Sequence, residues 1–171
     1  MFNKLKYGTS QEKGQVIVLI ALMMVALLGL AAMAIDLSYV FVQRRDMQNA
    51  ADAGTLAGGR LLALYQADPT MSLRYRDVYY EVLRGAQANG ADDIIAYTVR
   101  CGERTPDRLL RPDDYTAVER CPGGCGVWAK TEKEFATFLS QIFGVQQLRT
   151  TAEAQAEFGL PQQVCQMSPI A

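Results

Sequence analysis

An unbroken apolar run near the N-terminus constrains this chain more than any other feature. Residues Val16–Ile35 read VIVLIALMMVALLGLAAMAI, without a charged or strongly polar side chain. A helix rises about 1.5 Å per residue, so a run of this length crosses a hydrocarbon core of roughly 30 Å. We therefore predict a single membrane-spanning helix, with membrane lipid as its first partner.

The charges on either side of the run predict how it lies in the membrane. Lys4, Lys6 and Lys13 precede the run, against only Glu12, and Asp36 is the first polar residue after it. Positive residues next to a membrane helix are favoured on the cytoplasmic side. We therefore expect a cytoplasmic N-terminus and an exported C-terminal region. We place Asp36 at the outer membrane boundary, where we expect its carboxylate to stay hydrated.

These features divide the chain into three predicted parts. Residues 1–14 form a cytoplasmic leader, residues 15–66 a transmembrane and extended helix, and residues 67–171 an exported domain. The alternative to a retained anchor is a cleaved secretory signal, since the small residues of Ala31–Ala34 suit a signal peptidase. The run exceeds the roughly 7–15 apolar residues of such signals, and the helical pattern continues past it. We therefore favour a retained anchor.

Helical periodicity extends well beyond the membrane run. No proline occurs between Asp36 and Asp68, and apolar residues recur there at helical spacing. We predict one continuous helix from about Gln15 to Tyr65, ended at Asp68-Pro69 because the residue before a proline disfavours helix. The residues expected on its packed stripe are Leu37, Val40, Phe41, Met47, Ala51 and Leu61.

One face of the extended helix carries unusually small residues. Ala50, Gly54 and Gly58 lie four apart, a spacing that lets another helix approach closely. Glycine weakens a helix by up to about 1 kcal/mol per residue, so this face needs a packing explanation. The partner is either the exported domain of the same chain or a helix of another subunit, and the sequence leaves both open.

The remaining sequence predicts a small α+β domain with a mainly antiparallel sheet. Residues 72–89 have the apolar spacing of a second helix, capped by Gly90. Residues 134–143 are expected to form a short helix closed by Gly144, and residues 101–126, rich in Pro, Gly and charge, an irregular loop. β-branched and alternating residues predict three strands: 94–100, 127–131 and 147–158.

All four cysteines follow the apolar run: Cys101, Cys121, Cys125 and Cys165. An even number on one side of a membrane predicts two disulfides in an oxidising compartment. Of the three pairings, we favour Cys101–Cys121 with Cys125–Cys165, because the neighbouring Cys121 and Cys125 would then join different segments. The alternative, a four-thiolate zinc site, lacks the paired C-x-x-C spacing typical of such sites.

The composition argues against catalysis. The chain has no histidine, which excludes Ser-His-Asp and Cys-His nucleophiles and imidazole metal ligands. Its net charge of -1, without a basic tract, indicates no nucleic-acid surface. We interpret the acidic residues Asp113, Asp114, Glu132 and Glu134 as a solvated surface. We therefore predict that the protein is not an enzyme and has no catalytic residue, no cofactor and no metal.

The N-terminal third resembles the N-terminal module of the TadE/TadG-like proteins of tight-adherence (Flp) pilus systems. The similarity rests on Gly14 before the apolar run, Gly29 within it and Asp36 directly after it. It continues through the stretch QNAADA at 48–53 and the small residues leading to Arg60. The resemblance covers about fifty residues. The C-terminal portion is more loosely similar to the exported domain of the family, so we expect a pilin-like fold.

The resemblance implies a structural role at the bacterial cell envelope. It implies a minor pilin, a pseudopilin or a membrane-anchored assembly component, with other pilus proteins as partners and oligomer formation through the N-terminal helix. Gly14 and Gln15 resemble a prepilin processing junction, but the fifth residue after the junction is Leu19 where type IV pilins usually have glutamate. The alternatives are a subunit of a type IV-like filament and a membrane-tethered envelope enzyme or ligand-binding domain.

Overall fold

One helix, α1 (Lys13–Ala67), organises the structure. The computed structural model describes residues 13–100, 106–121 and 125–159. Over 55 residues α1 is unbroken, and at about 1.5 Å per residue it is roughly 80 Å long. The predicted single helix is confirmed, and it ends directly before Asp68-Pro69 as expected.

A second helix, α2 (Tyr75–Gln87), packs beside α1 and is also confirmed. Gly90 closes the C-terminal end of α2, three residues after Gln87. Its φ of +86° lies in the left-handed region that favours glycine. The N–H of Gly90 donates to the carbonyl of Gln87 at 3.0 Å, and the N–H of Ala91 donates to that of Ala86 at 3.2 Å. This pair of hydrogen bonds forms a Schellman motif, which satisfies carbonyls that a helix end leaves free.

The chain beyond α2 contains a four-stranded antiparallel sheet, which confirms the predicted α+β class. Its strands lie in the order β2-β1-β3-β4, and every neighbouring pair is antiparallel. They are β1 (Asp93–Arg100), β2 (Arg108–Leu109), β3 (Cys125–Ala136) and β4 (Gln147–Phe158). The strand predicted at 127–131 is therefore longer than expected, and the predicted loop contains the short β2.

The prediction of a helix at 134–143 was wrong. Strand β3 continues through Ala136, and helical geometry is limited to a 3-10 turn at Ser140–Phe143. Gly144, with a φ of +86°, closes that turn.

Contacts across the sheet explain why the strand prevails in this segment. The Glu134 carboxylate accepts hydrogen bonds from the guanidinium of Arg149 on β4, the closer at 2.9 Å. On the opposite face, the rings of Phe135 and Tyr39 meet edge to face with their centroids 5.3 Å apart. A ten-residue helix is marginal by itself, so these contacts decide the local structure.

The second half of α1 lies on one face of the sheet. A Cβ placed on Gly58 would be 3.2 Å from Val127, near the start of β3. Further along the strand, the Thr131 hydroxyl donates to the carbonyl of Met47 at 2.9 Å, about three turns earlier on α1. Strand β3 therefore runs antiparallel to α1, back towards its apolar first half. On β4, small residues let the helix approach: a Cβ on Gly59 would lie 3.6 Å from that of Ala156.

Helices α1 and α2 touch backbone to backbone. A Cβ placed on Gly85 of α2 would lie 2.8 Å from the carbonyl oxygen of Ala53 and 3.1 Å from the Cα of Gly54. A Cβ placed on Gly54 would lie 2.9 Å from the carbonyl oxygen of Val82. The face of α1 that carries Gly54 and Gly58 is therefore covered by α2 of the same chain. Ala50, one turn earlier, is fully buried.

Arg120 holds the C-terminal end of α1. Its guanidinium donates to the carbonyls of Tyr65 at 2.7 Å and Asp68 at 2.9 Å, and it lies 4.4 Å from the centre of the Tyr65 ring. A cation here complements the negative end of the helix dipole, which α1 itself leaves without a basic residue. The Thr70 hydroxyl, and then the Thr70 N–H, lower the pKa of the Asp68 carboxyl, and the Arg120 charge acts in the same direction.

We predict that Gly85→Ala destabilises the domain by about 1–3 kcal/mol, because its methyl group meets backbone atoms that cannot rotate away. Gly59→Ala is the matched control, since its methyl would have ordinary contacts and would raise helix propensity by up to about 1 kcal/mol. Denaturant unfolding of the full chain in detergent, followed by Trp128 fluorescence, compares the two. Equal midpoints would contradict the close helix approach.

Loss of the Arg120 contacts should loosen the end of α1. We expect Arg120→Met to lower the free energy of unfolding by about 1–2 kcal/mol, because three helix-end carbonyls lose a charged donor that is partly exposed to water. Arg60→Met, at an exposed position on the same helix, should change it by less than about 0.5 kcal/mol. The same unfolding experiment measures both, and a larger effect at Arg60 would refute the role of Arg120.

Candidate functional site

Helix α1 has an exposed half and a buried half. Within Val16–Ile35 no residue is buried, and apolar side chains such as Ile17 and Leu28 are each 68% exposed. From Asp36 onwards, one face of the helix is covered by the domain. In the described part of the chain, α1 is the one helix that is long and apolar enough to cross a bilayer. It fits a membrane anchor.

The two halves meet at Asp36, whose side chain the β3–β4 loop encloses. Only 6% of Asp36 is exposed. Its carboxylate accepts hydrogen bonds from the backbone N–H groups of Phe138 at 3.1 Å, Leu139 at 3.2 Å and Ser140 at 2.6 Å. The Ser140 hydroxyl also donates to it. One carboxylate thus satisfies the N–H groups that the start of a helical turn leaves free.

The expectation that the Asp36 carboxylate is hydrated was wrong. Backbone N–H groups and a hydroxyl take the place of water, because the chain folds back over Asp36 after β3 ends at Ala136. A fully bonded carboxylate tolerates burial that a bare one does not. Asp36 therefore joins the apolar run to the near end of the domain, across more than a hundred residues of sequence.

The packed stripe of α1 differs from the predicted one near this junction. Met47 and Ala51 are fully buried as predicted, but Leu37 is 56% exposed and Phe41 63% exposed. Gln43 is buried instead, at 7% exposed. The packed face of the helix is the one that carries Asp36, whose side chain faces the loop. Successive residues of a helix point about 100° apart, so Leu37 points away from that face.

The favoured disulfide pairing was wrong in both of its bonds. In the structure Cys121 and Cys125 are bonded to each other, with their Cα atoms 5.8 Å apart. They lie only four positions apart in the sequence, so closing the loop between them costs little entropy. Cys101 and Cys165 lie outside the described residues, and the partners predicted for them are bonded to each other instead.

Three of the four acidic residues interpreted as a solvated surface are ion partners. Glu132 and Glu134 both contact Arg149, at 3.1 and 2.9 Å, and Asp114 contacts Arg108 at 2.8 Å. Asp113 is exposed. Within 13–100, 106–121 and 125–159, no three His, Cys, Asp or Glu side chains are grouped to hold a metal ion. The absence of a metal, a cofactor and a catalytic residue stays a prediction for the whole chain.

Sequence reasoning missed the β3–β4 loop as part of this site. Its signal was present: from Phe135 to Leu148 the sequence FATFLSQIFGVQQL carries no charge, although the flanking strands are highly charged. An uncharged stretch with several large apolar residues is unusual for a solvated loop. The uncharged stretch indicated that this segment contacts another part of a structure. One such contact proves to be Asp36.

These features define a class of protein: a single apolar anchor helix, free along its first half, with an α+β domain fixed to its second half. Residues 14–61 match the model of a family described as putative Flp pilus-assembly TadE/G-like, which confirms the resemblance seen in the sequence. The match spans the exposed half of α1, Asp36 and the small-residue face, and leaves the sheet outside. No curated protein and no solved structure matches the chain.

We predict that Asp36→Asn frees the β3–β4 loop. An amide cannot accept from every donor that the carboxylate satisfies, and hydrogen bonds to a charged group contribute about 1.5–3 kcal/mol. The amides of Phe138, Leu139 and Ser140 should then exchange hydrogen roughly ten- to a hundredfold faster. Asp52→Asn is the control, since Asp52 is exposed and its carboxylate accepts only from Gln48 among the described residues. An unchanged rate of amide hydrogen exchange in Asp36→Asn would refute the role of Asp36 in holding the loop.

Proposed function

We propose that this chain is a minor pilin, a pseudopilin or a membrane-anchored assembly component of a tight-adherence (Flp) type pilus. The observation that carries the proposal is the match of a pilus-assembly family over residues 14–61, which include the part of α1 that the domain leaves most exposed. The family description concerns assembly rather than a reaction, which supports a structural role.

The exposed half of α1 provides a physical basis for assembly. Its apolar side chains need lipid or protein around them, because so large an apolar surface is unstable in water. Helices in a bilayer associate through close packing rather than through the hydrophobic effect. The same surface can therefore exchange lipid for the helices of other pilus proteins, or for a second copy of this chain. The domain leaves that surface free.

The proposed topology places residues 1–14 in the cytoplasm and residues 67–171 outside the cytoplasmic membrane. Three lysines before the run support this orientation, with Asp36 at the outer membrane boundary. The Cys121–Cys125 disulfide is consistent with an oxidising compartment for the domain.

The N-terminus of α1 favours an assembly component over a major fibre subunit. Gly14 and Gln15 form the proposed processing junction and lie in the first turn of α1. Leu19 occupies the fifth position after that junction, where type IV pilins usually carry glutamate. A subunit of a type IV-like filament is the second candidate, since a long helix against an antiparallel sheet suits such a fibre.

The proposal predicts that deletion of this chain from its host abolishes or strongly reduces surface pili, counted by electron microscopy and in sheared fractions. The full chain should restore them. A matched variant replaces Val16–Ile35 by an unrelated leucine-rich membrane helix and keeps Asp36 and the domain. This variant should stay in the membrane but fail to restore pili, because the specific helix surface is lost.

Three results would count against this account. Normal piliation after deletion would refute the role in the pilus. Full rescue by the leucine-rich variant would show that the run serves only as an anchor. Abundant chain in sheared filaments, with an N-terminus at Gln15, would favour the fibre subunit instead.

A further inference from the structure

The β3–β4 loop, defined as Thr137–Gln146, exposes large apolar side chains at the end of the domain nearest the apolar run. Phe138 and Ile142 are each 78% exposed, and Val145 is 43% exposed. The loop carries no charged residue. Exposed apolar side chains concentrated on one uncharged loop indicate a surface that has a partner.

The hydrogen bonds of Asp36 determine the depth of this loop. If Val16–Ile35 spans the hydrocarbon core, Asp36 lies at its outer edge, because that run is about 30 Å long. The N–H groups of Phe138 and Ser140 are within 3.1 Å of the Asp36 carboxylate. The loop is therefore held at the level where the hydrocarbon core meets the lipid headgroups.

Helix α1 continues the apolar surface at the same level. Beyond Asp36, the side chains of Leu37, Phe41 and Val42 are more than half exposed, and the first positive charges are Arg44 and Arg45. At about 1.5 Å per residue, Arg44 lies roughly 12 Å above Asp36, and the headgroup layer on each side is roughly 5–8 Å thick. The apolar side chains thus occupy the interfacial layer, and the arginines lie at its aqueous side.

We propose that the β3–β4 loop inserts Phe138 and Ile142 into the outer leaflet of the phospholipid bilayer, beside the anchor helix. The domain then rests on the membrane through two contacts, the helix and the loop. The backbone of the loop suits this environment, since the Thr137 hydroxyl and N–H donate to the carbonyls of Val145 and Gln146 within the loop. Interfacial segments of this kind insert about 5–10 Å.

Lipid is the occupant that the geometry favours, because the loop is continuous with a surface that lipid already covers. The inference rests on the proposal that Val16–Ile35 spans the bilayer. It does not depend on the pilus role.

Tryptophan substitution in the full chain tests the insertion. Trp128→Phe removes the single native tryptophan. On that background Phe138→Trp and Ile142→Trp report the loop, Leu28→Trp reports the centre of the run, and Tyr115→Trp reports the far end of the domain. Tyr115 is 60% exposed and lies near the start of α2. The chains are reconstituted in phosphatidylcholine vesicles whose acyl chains are brominated close to the headgroup.

We expect bromine to quench the tryptophans at 138 and 142 at least roughly half as strongly as the one at 28, and to leave the one at 115 unquenched. Two loop positions keep the test decisive if one variant misfolds. Quenching at 28 without quenching at 138 and 142 would overturn the insertion and leave the anchor intact. No quenching at 28 would refute the spanning helix itself. Blue-shifted but unquenched tryptophans at 138 and 142 would show a protein partner in place of lipid.

Discussion

The structure depends on one helix serving two environments. The exposed run of α1 is suited to lipid, and its continuation provides the central face on which α2 and the sheet pack. Since no break separates the two halves, the position of the domain relative to the anchor is set by helix geometry. The hydrogen bonds between Asp36 and the β3–β4 loop fix the end of the domain nearest the apolar run to the same helix.

Side-chain size in the second half of α1 follows from this arrangement. The helix must contact α2 on one side and two strands on another, so both contact faces use glycine and alanine. Gly54 and Gly58 face α2, while Gly59 faces Ala156 on β4. Glycine costs helix propensity, and burial against close neighbours offsets that loss. The small residues, for which the sequence left an internal and an external partner open, therefore pack within the chain, and the first half of α1 stays exposed.

Local patterns predicted the long helix, the second helix with its cap at Gly90, and the strand at 147–158, because each signal lies within one stretch of sequence. Features that depend on distant contacts were missed. The segment 134–143 has helical spacing, but pairing with β4 keeps most of it extended. The hydrogen bonds of Asp36 were missed, because its partners lie more than a hundred residues away. The Cys121–Cys125 bond was missed although its cysteines lie only four positions apart, so that its signal is local.

The central claim is that the anchor and the core of the domain form one rigid helix through Asp36. Nitroxide amino acids at Val18 and Arg60, both exposed, measure this directly by pulsed electron spin resonance in lipid nanodiscs. The account predicts a single narrow distance distribution near about 63 Å, the length of a continuous helix between those residues. A broad distribution centred at clearly shorter distances would show a hinge at the junction and would contradict it.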